Sequence, residues 1–153
     1  MHRLTHYIDR LEKHRLVHHK ANSQISKSSV GWHIEHSLKV IIQIVAAVEK
    51  SNPNDYKWKF NVNRLLIWTI NRIPRGKAKA PKVVEPEGEI TVESLSQSIT
   101  KARTALGKVN ELKQNNYFKH PYFGDLNLKP TKTFLNIHTH HHLKIIDDII
   151  KAS

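Results

Sequence analysis

Residues that break helices are few in this chain and are clustered, which constrains its fold more than any other feature. The 153 residues include 5 glycines and 6 prolines, and five of these eleven fall between positions 74 and 88. The long segments outside that stretch carry apolar residues at steps of three and four, which is the spacing of a helix with one buried face. The sequence therefore predicts an all-α fold.

The apolar spacing predicts four principal helices, one accessory helical segment and a Pro/Gly-rich arm over 74–88. Ser28 or Ser29 is a suitable N-cap for the second helix, and Thr91 for the fourth helical stretch. No segment indicates a strand. We expect a four-helix bundle in a single domain covering residues 1–153. The principal helices are predicted over about 2–18, 28–50, 91–115 and 130–151, and the accessory segment over about 58–72.

Composition supports a packed core and excludes several kinds of site. Hydrophobic residues make up 39% of the chain, and the absence of cysteine excludes disulfides, thiolate metal sites and a cysteine nucleophile. The longest apolar run, Val40–Val48, is far too short to span a bilayer. The N-terminus has acids and no apolar core of a signal peptide. We therefore expect a soluble cytoplasmic protein with no membrane partner.

A formal charge of +12 supports a nucleic-acid hypothesis. A basic surface patch attracts phosphate, although a run of charges is more often simply a solvated face. The sequence contains no zinc finger, RNP motif or convincing helix-turn-helix. The alternative function is thus a non-catalytic helical bundle whose basic surface binds nucleic acid or another acidic partner. The basic run in the arm consists of Arg72, Arg75, Lys77, Lys79 and Lys82.

Four of the twelve histidines fall within five positions of the last predicted helix. At about 100° per residue, His138 and His142 lie about 40° apart on the apolar side of that helix. His141 lies at the edge of this stripe, and His140 points the opposite way. Two imidazoles at i and i+4 can converge on one transition-metal ion, while the plain alternative is that they fill the core.

A metal site would need a third ligand from another element. The second helix offers His33 and His36, three residues apart and near one face. The helical wheel places both away from the centre of the apolar stripe and does not choose between them.

About the last quarter of the chain, together with the neighbourhood of His36, resembles a known family. The segment His120-Pro121-Tyr122-Phe123-Gly124, followed by His138-Thr139-His140-His141-His142-Leu143, is similar to an uncharacterised branch of the DinB/YfiT-like superfamily of four-helix bundles. That branch carries an HPxFG turn ahead of an HxxHHL helix. The resemblance implies a metal triad of His36, His138 and His142, with zinc, nickel or iron as the ion. Some relatives are thiol-dependent transferases, so it also implies a metal-dependent transferase or hydrolase acting on a thiol or another small molecule.

Other residues enter as possible neighbours of the triad. His33, His120, Tyr122 and His141 could approach the metal as second-shell or substrate groups. For His120 and Tyr122 a structural role in the turn around Pro121 is the favoured interpretation. Ile145 stands where the family often has glutamine, which removes one polar contact and leaves the triad intact. Superfamily bundles often pair, so a homodimer is a further expectation. The broad apolar face of the second helix, together with Trp58 and Trp68, could form its interface, and a monomer core explains these residues equally well.

Overall fold

The computed structural model describes residues 2–76 and 81–152, and it is mostly helical with a small antiparallel sheet. Lys77 and Lys79 of the predicted basic run lie outside these ranges. Single turns of 3-10 helix occur at Arg15–Val17, Pro53–Asp55 and Lys82–Val84. The main elements are α1 (His2–His14), α2 (Val30–Lys50), α3 (Val62–Ile70), α4 (Val92–Lys108), β1 (Tyr117–His120), β2 (Gly124–Asn127) and α5 (Leu128–Lys151).

Four of the helices surround one hydrophobic core. Helices α4 and α5 lie on either side, α4 against α1 and α2, and α5 against the same two helices. Helix α2 has buried residues on more than one side, because it packs against both α4 and α5. The broad apolar face of α2 is therefore buried inside the molecule. Fully buried members of the core include Leu4, Leu11, Ile34, Leu38, Leu95, Leu135 and Ile146.

Side-chain caps fix where α2 and α4 begin. The Ser29 hydroxyl accepts a hydrogen bond from the Trp32 N–H at the start of α2. At the start of α4, Thr91 and Ser94 form a reciprocal capping box. Each cap satisfies backbone donors that have no partner within the helix. The predicted starts at Ser29 and Thr91 are thus confirmed.

The prediction of no strand is wrong for the connector between α4 and α5. Strands β1 and β2 form a hairpin in which Phe118 pairs with Leu126, and both side chains are buried. Gly124 begins β2 with a φ of +70°, which glycine adopts at little cost. Four-residue strands are too short to display a clear alternating pattern, so the sequence indicated only turns.

Helix α4 ends at Lys108, about seven residues before the predicted end near 115. The reason lies in Asn116, which turns the chain back toward the C-terminus of α2. Its side-chain amide donates to Val48 O at 3.2 Å and to Ser51 O at 2.9 Å. This anchoring stabilises an irregular connector where the apolar spacing favoured continued helix.

Helix α3 is also shorter than predicted, because asparagines bound it on both sides. The Asn61 side chain caps the helix by accepting from the Arg64 N–H, and Asn71 ends it with a φ of 49°. Trp58, expected inside this helix, precedes it. Among the described residues no helix is both long and apolar enough to cross a membrane.

Candidate metal centre

Helices α2 and α5 each bring two histidines to their shared interface. His33 and His36 on α2 and His138 and His142 on α5 are all at least 91% buried. One ring nitrogen from each of His36, His138 and His142 lies within 4.8 Å of the other two. The spacings i, i+3 and i, i+4 place each pair on one face of its helix, and packing of the helices brings the faces together. The structure thus assembles a group of three imidazoles that could hold a metal ion.

The ring of His36 is fixed by a main-chain carbonyl. His36 Nδ1 lies 2.9 Å from Val84 O, in the 3-10 turn of the Pro/Gly-rich arm. A carbonyl can only accept, so Nδ1 carries the proton and Nε2 of the neutral ring has a free lone pair. The next residue of the arm is held in a similar way, since Lys39 Nζ donates to Glu85 O at 2.9 Å. The arm therefore lies against α2 and orients one candidate ligand.

The free lone pair of His36 points at His138. Their Nε2 atoms are 3.2 Å apart. Two nitrogens bound to one tetrahedral zinc ion at about 2.05 Å each would lie about 3.3 Å apart, so this spacing fits two ligands of one ion. His138 Nδ1 is buried and has no hydrogen-bond partner among the described residues. In this respect His138 differs from most metal-bound histidines, whose second nitrogen is bonded.

A chain of hydrogen bonds leads away from His142. His142 Nδ1 lies 2.9 Å from His33 Nδ1, and His33 Nε2 lies 2.9 Å from the Ser26 hydroxyl oxygen. One proton arrangement leaves the lone pair of His142 Nε2 free for an ion. In that arrangement His142 Nδ1 donates to His33, and His33 Nε2 donates to Ser26. His33 is therefore a partner of a candidate ligand, and periodicity alone could not assign this role.

Burial keeps these rings neutral. It lowers the pKa of His36, moves the pKa of His138 and His142 well below the usual range, and lowers that of His33 to about 4. The nearby histidines add a smaller effect in the same direction at His33, His138 and His142. A neutral imidazole is the form that binds a metal, so the cluster is ready to do so at neutral pH.

Aromatic packing encloses the cluster on the α2 side. The ring of Trp32 stacks on His36, with centroids 4.9 Å apart and planes 13° apart, and meets His33 edge to face. Glu35 lies elsewhere and accepts from the Ser98 hydroxyl on α4. Successive residues of a helix diverge by about 100°, so the carboxylate next to His36 faces away from the cluster. The donor set is therefore made of neutral nitrogens.

The remaining predicted neighbours lie at increasing distance from the triad. His141 packs edge to face against His142, with ring centroids 5.1 Å apart. His120 serves the hairpin turn, where its Nδ1 accepts from the main-chain N–H groups of Tyr122 and Phe123. Tyr122 is 52% exposed. His120 thus bonds within the turn, and Phe134 packs against both that ring and the ring of His138.

Three contributors to the site had not been predicted. Trp32 stands four residues before His36, and this i, i+4 spacing could have identified it. Ser26 lies in a polar loop that gives no distinguishing signal. Val84 contributes a main-chain oxygen, which any residue carries, so no sequence pattern reveals it.

The chain was compared with known proteins at three levels. No protein-family model, curated protein or solved structure matches it.

Proposed function

We propose that this chain is a DinB-like metalloprotein in which His36, His138 and His142 hold one divalent transition-metal ion. The observation that carries the proposal is the convergence of three buried, neutral imidazoles with ligand atoms within 4.8 Å of one another. Nitrogen ligands of this kind suit zinc, nickel and iron. The HPxFG and HxxHHL motifs supply independent support for the family.

The chemistry proposed for the site is activation of a thiol or a water molecule in a transferase or hydrolase reaction. An ion with three protein ligands keeps an open position, at which it lowers the pKa of a bound thiol or water. The protein's part is to keep the ring protons in place. Val84 O holds the proton of His36 on Nδ1. In the proton arrangement that frees His142 Nε2, His33 Nδ1 accepts a hydrogen bond from His142 Nδ1. The thiol would come from a small substrate, because the chain has no cysteine.

Positive charge near the site favours an anionic substrate. Among the described residues Arg72 forms no ion pair, whereas Arg75 is paired with Asp148. Arg72 and Arg75 act electrostatically on His141 and contribute to lowering its pKa to about 4, after the larger effect of burial. Since the three ligands are neutral, the charge of an ion would not be compensated by the protein. A substrate that brings a thiolate or a carboxylate would supply that compensation.

Elemental analysis of untagged protein, purified without chelator or a nickel column, tests the metal site. We expect about one equivalent of metal, lost in His36→Ala, His138→Ala and His142→Ala. His140→Ala is the matched control, because this ring stacks on Tyr7 outside the cluster. Wild-type protein that holds no metal and takes up no zinc, nickel or iron would contradict the proposal.

The reaction class needs a separate measurement. Cobalt-loaded protein should change its visible spectrum when a low-molecular-weight thiol is added, because a thiolate would enter the open position. A spectrum unaffected by thiols would exclude the thiol transferase and leave a hydrolase to be tested.

A further inference from the structure

Helix α3 exposes aliphatic side chains to solvent. Val62, Leu65, Leu66 and Ile70 are 66%, 55%, 56% and 48% exposed, whereas Ile67 is the buried residue of this helix. At about 100° per residue, the four exposed side chains share an arc of about 140° with Thr69. We call these five residues the α3 face.

The orientation of α3 is fixed by its opposite side. The ring of Trp68 meets Phe123 edge to face at 5.3 Å. The Asn61 side chain donates to Tyr122 O at 3.1 Å, just before the helix begins. These contacts anchor the helix to the β1–β2 hairpin while the α3 face points outward. A contiguous apolar surface of this kind is typical of a binding site.

Two aromatic residues extend the apolar surface ahead of the helix. Trp58 and Phe60 are 67% and 65% exposed. The guanidinium of Arg64 lies 5.9 Å from the centre of the Trp58 ring. An exposed tryptophan beside a cation is a common feature of surfaces that meet the headgroup region of a bilayer.

The sequence around the α3 face is strongly basic. Residues 56–84 contain no aspartate or glutamate and eight lysines and arginines. Among the described residues, Lys57, Lys59 and Arg72 are exposed and form no ion pair, whereas Arg75 pairs with Asp148 at 2.6 Å. Unpaired cations therefore flank an exposed apolar helix.

We propose that the α3 face binds the surface of an anionic lipid bilayer. An amphipathic helix can lie in the plane of the interface, with its aliphatic and aromatic side chains at the acyl boundary and flanking lysines and arginines at the lipid phosphates. The charge of residues 56–84 is complementary to such a surface. We expected no membrane partner because no apolar run is long enough to span a bilayer. A helix that lies on the bilayer surface does not need such a run.

The charge pattern disfavours the other occupants. A second copy of the chain, packed through the same face, would bring Lys57 and Lys59 close to their own equivalents. Nucleic acid would satisfy the cations and leave Leu65 and Leu66 in water, since phosphate contacts use polar groups. An anionic bilayer satisfies both the charge and the apolar area.

Co-sedimentation with vesicles tests the proposal on the whole chain. The probes are vesicles of phosphatidylcholine alone and of phosphatidylcholine with about 30 mol % phosphatidylserine. We expect binding to the anionic vesicles to be at least about tenfold stronger and to weaken as salt is added. Failure of the wild-type protein to bind either vesicle would overturn the proposal.

Matched variants distinguish binding through the α3 face from non-specific adsorption to vesicles. Leu65→Glu/Leu66→Glu should weaken binding to anionic vesicles by at least about tenfold. Leu16→Glu, at a leucine that is 65% exposed in the turn after α1, should leave it unchanged. Circular dichroism checks that each variant is folded. Equal loss in both variants, or in neither, would contradict the proposal.

A charge series gives a second, milder test. Lys57→Gln/Lys59→Gln should weaken binding to anionic vesicles, whereas Lys101→Gln/Lys113→Gln, at exposed positions on and just after α4, should have a smaller effect. Sedimentation equilibrium and binding to an oligonucleotide complete the experiment. A dimer that Leu65→Glu/Leu66→Glu dissociates, or an oligonucleotide bound more tightly than the anionic vesicles, would overturn the proposal in favour of that partner.

Discussion

The α2–α5 interface and the α3 face each have the polarity opposite to that expected from their location. At the interface, His33, His36, His138 and His142 are polar and buried; on α3, aliphatic side chains are exposed. Burial of a polar group without a full set of partners costs free energy, and so does exposure of apolar area. Departures of both kinds are typical of functional sites, and at both places we propose that a molecule outside the chain binds.

The two regions differ in how far other residues of the chain offset the cost of the buried polar groups or of the exposed apolar groups. The histidines bond to one another, to Val84 O and to Ser26. Among the described residues this leaves His138 Nδ1 buried without a partner and His142 Nε2 with no hydrogen bond. The α3 face has no such internal compensation. A small ion is enough to complete the first region, whereas the second needs a large surface. The following predictions test this contrast from the largest effect to the smallest.

Zinc binding should stabilise the folded protein through the buried region. At a free concentration of about 1,000 times its Kd, zinc should raise the free energy of unfolding by about 4 kcal/mol, because it binds the assembled triad of the folded state. Thermal unfolding with and without zinc measures this effect. His138→Ala should abolish the shift and His140→Ala should keep it; an equal shift in both variants would contradict the assigned triad.

The same substitution, leucine to alanine, should change the free energy of unfolding by very different amounts in the two environments. Leu135→Ala should cost about 3 kcal/mol, because Leu135 is buried in the core and its loss leaves a cavity. Leu65→Ala on the α3 face should change the free energy of unfolding by less than about 0.5 kcal/mol. Urea unfolding of the metal-free protein compares the two. A large cost for Leu65→Ala would mean that the α3 face is covered in solution.

Removal of the partner of His142 should weaken metal binding without abolishing it. His33→Ala should lower zinc affinity by about 10- to 100-fold, since His142 would lose the group that orients its ring. Competition with a chromophoric chelator measures the affinity. His141→Ala, which removes a ring contact and no hydrogen bond to His142, is the control. Unchanged affinity in His33→Ala would exclude the positioning role.

The hairpin histidine should give the metal-free protein a modest sensitivity to acid. Burial lowers the pKa of His120 to about 4 from an unfolded value near 6.5. Between these pH values the unfolded chain binds a proton that the folded chain does not, so stability falls as the pH falls from 6.5 toward 4. His120→Ala should reduce the difference between pH 7 and pH 5.5 by about 1 kcal/mol, measured by urea unfolding. A difference unchanged by the variant would contradict this account.

Much of the helical framework could be predicted, because its signals are local. Ser29 and Thr91 mark helix starts, and apolar spacing marks the buried faces of α2 and α5. The end of α4 and the hairpin could not be predicted. They depend on contacts of Asn116 with α2 and on the pairing of two very short strands, which join positions distant in sequence.

The candidate site divides in a similar way. The wheel of the last helix placed His138 and His142 on one face, and this follows from the sequence of α5 alone. The contribution of α2 depends on how two helices pack, so periodicity left His33 and His36 as equals. In the structure both histidines reach the cluster. His36 contacts His138, and His33 contacts His142, in each case through ring nitrogens. Helix α3 was predicted from its apolar spacing, and spacing alone cannot show whether a helix faces the core or the solvent.

The Pro/Gly-rich arm orients His36 through main-chain oxygens, which every amino acid carries. The two acceptors are Val84 O and Glu85 O, and their bonds to α2 do not involve the exposed side chains that precede them. Proline at position 84 would remove a hydrogen bond of the turn, because the Val84 N–H donates to Pro81 O. Evolutionary drift can therefore change the exposed side chains at Lys82 and Val83 while the geometry around the histidine persists. An alignment of related chains would show this segment as variable, although it forms part of the site.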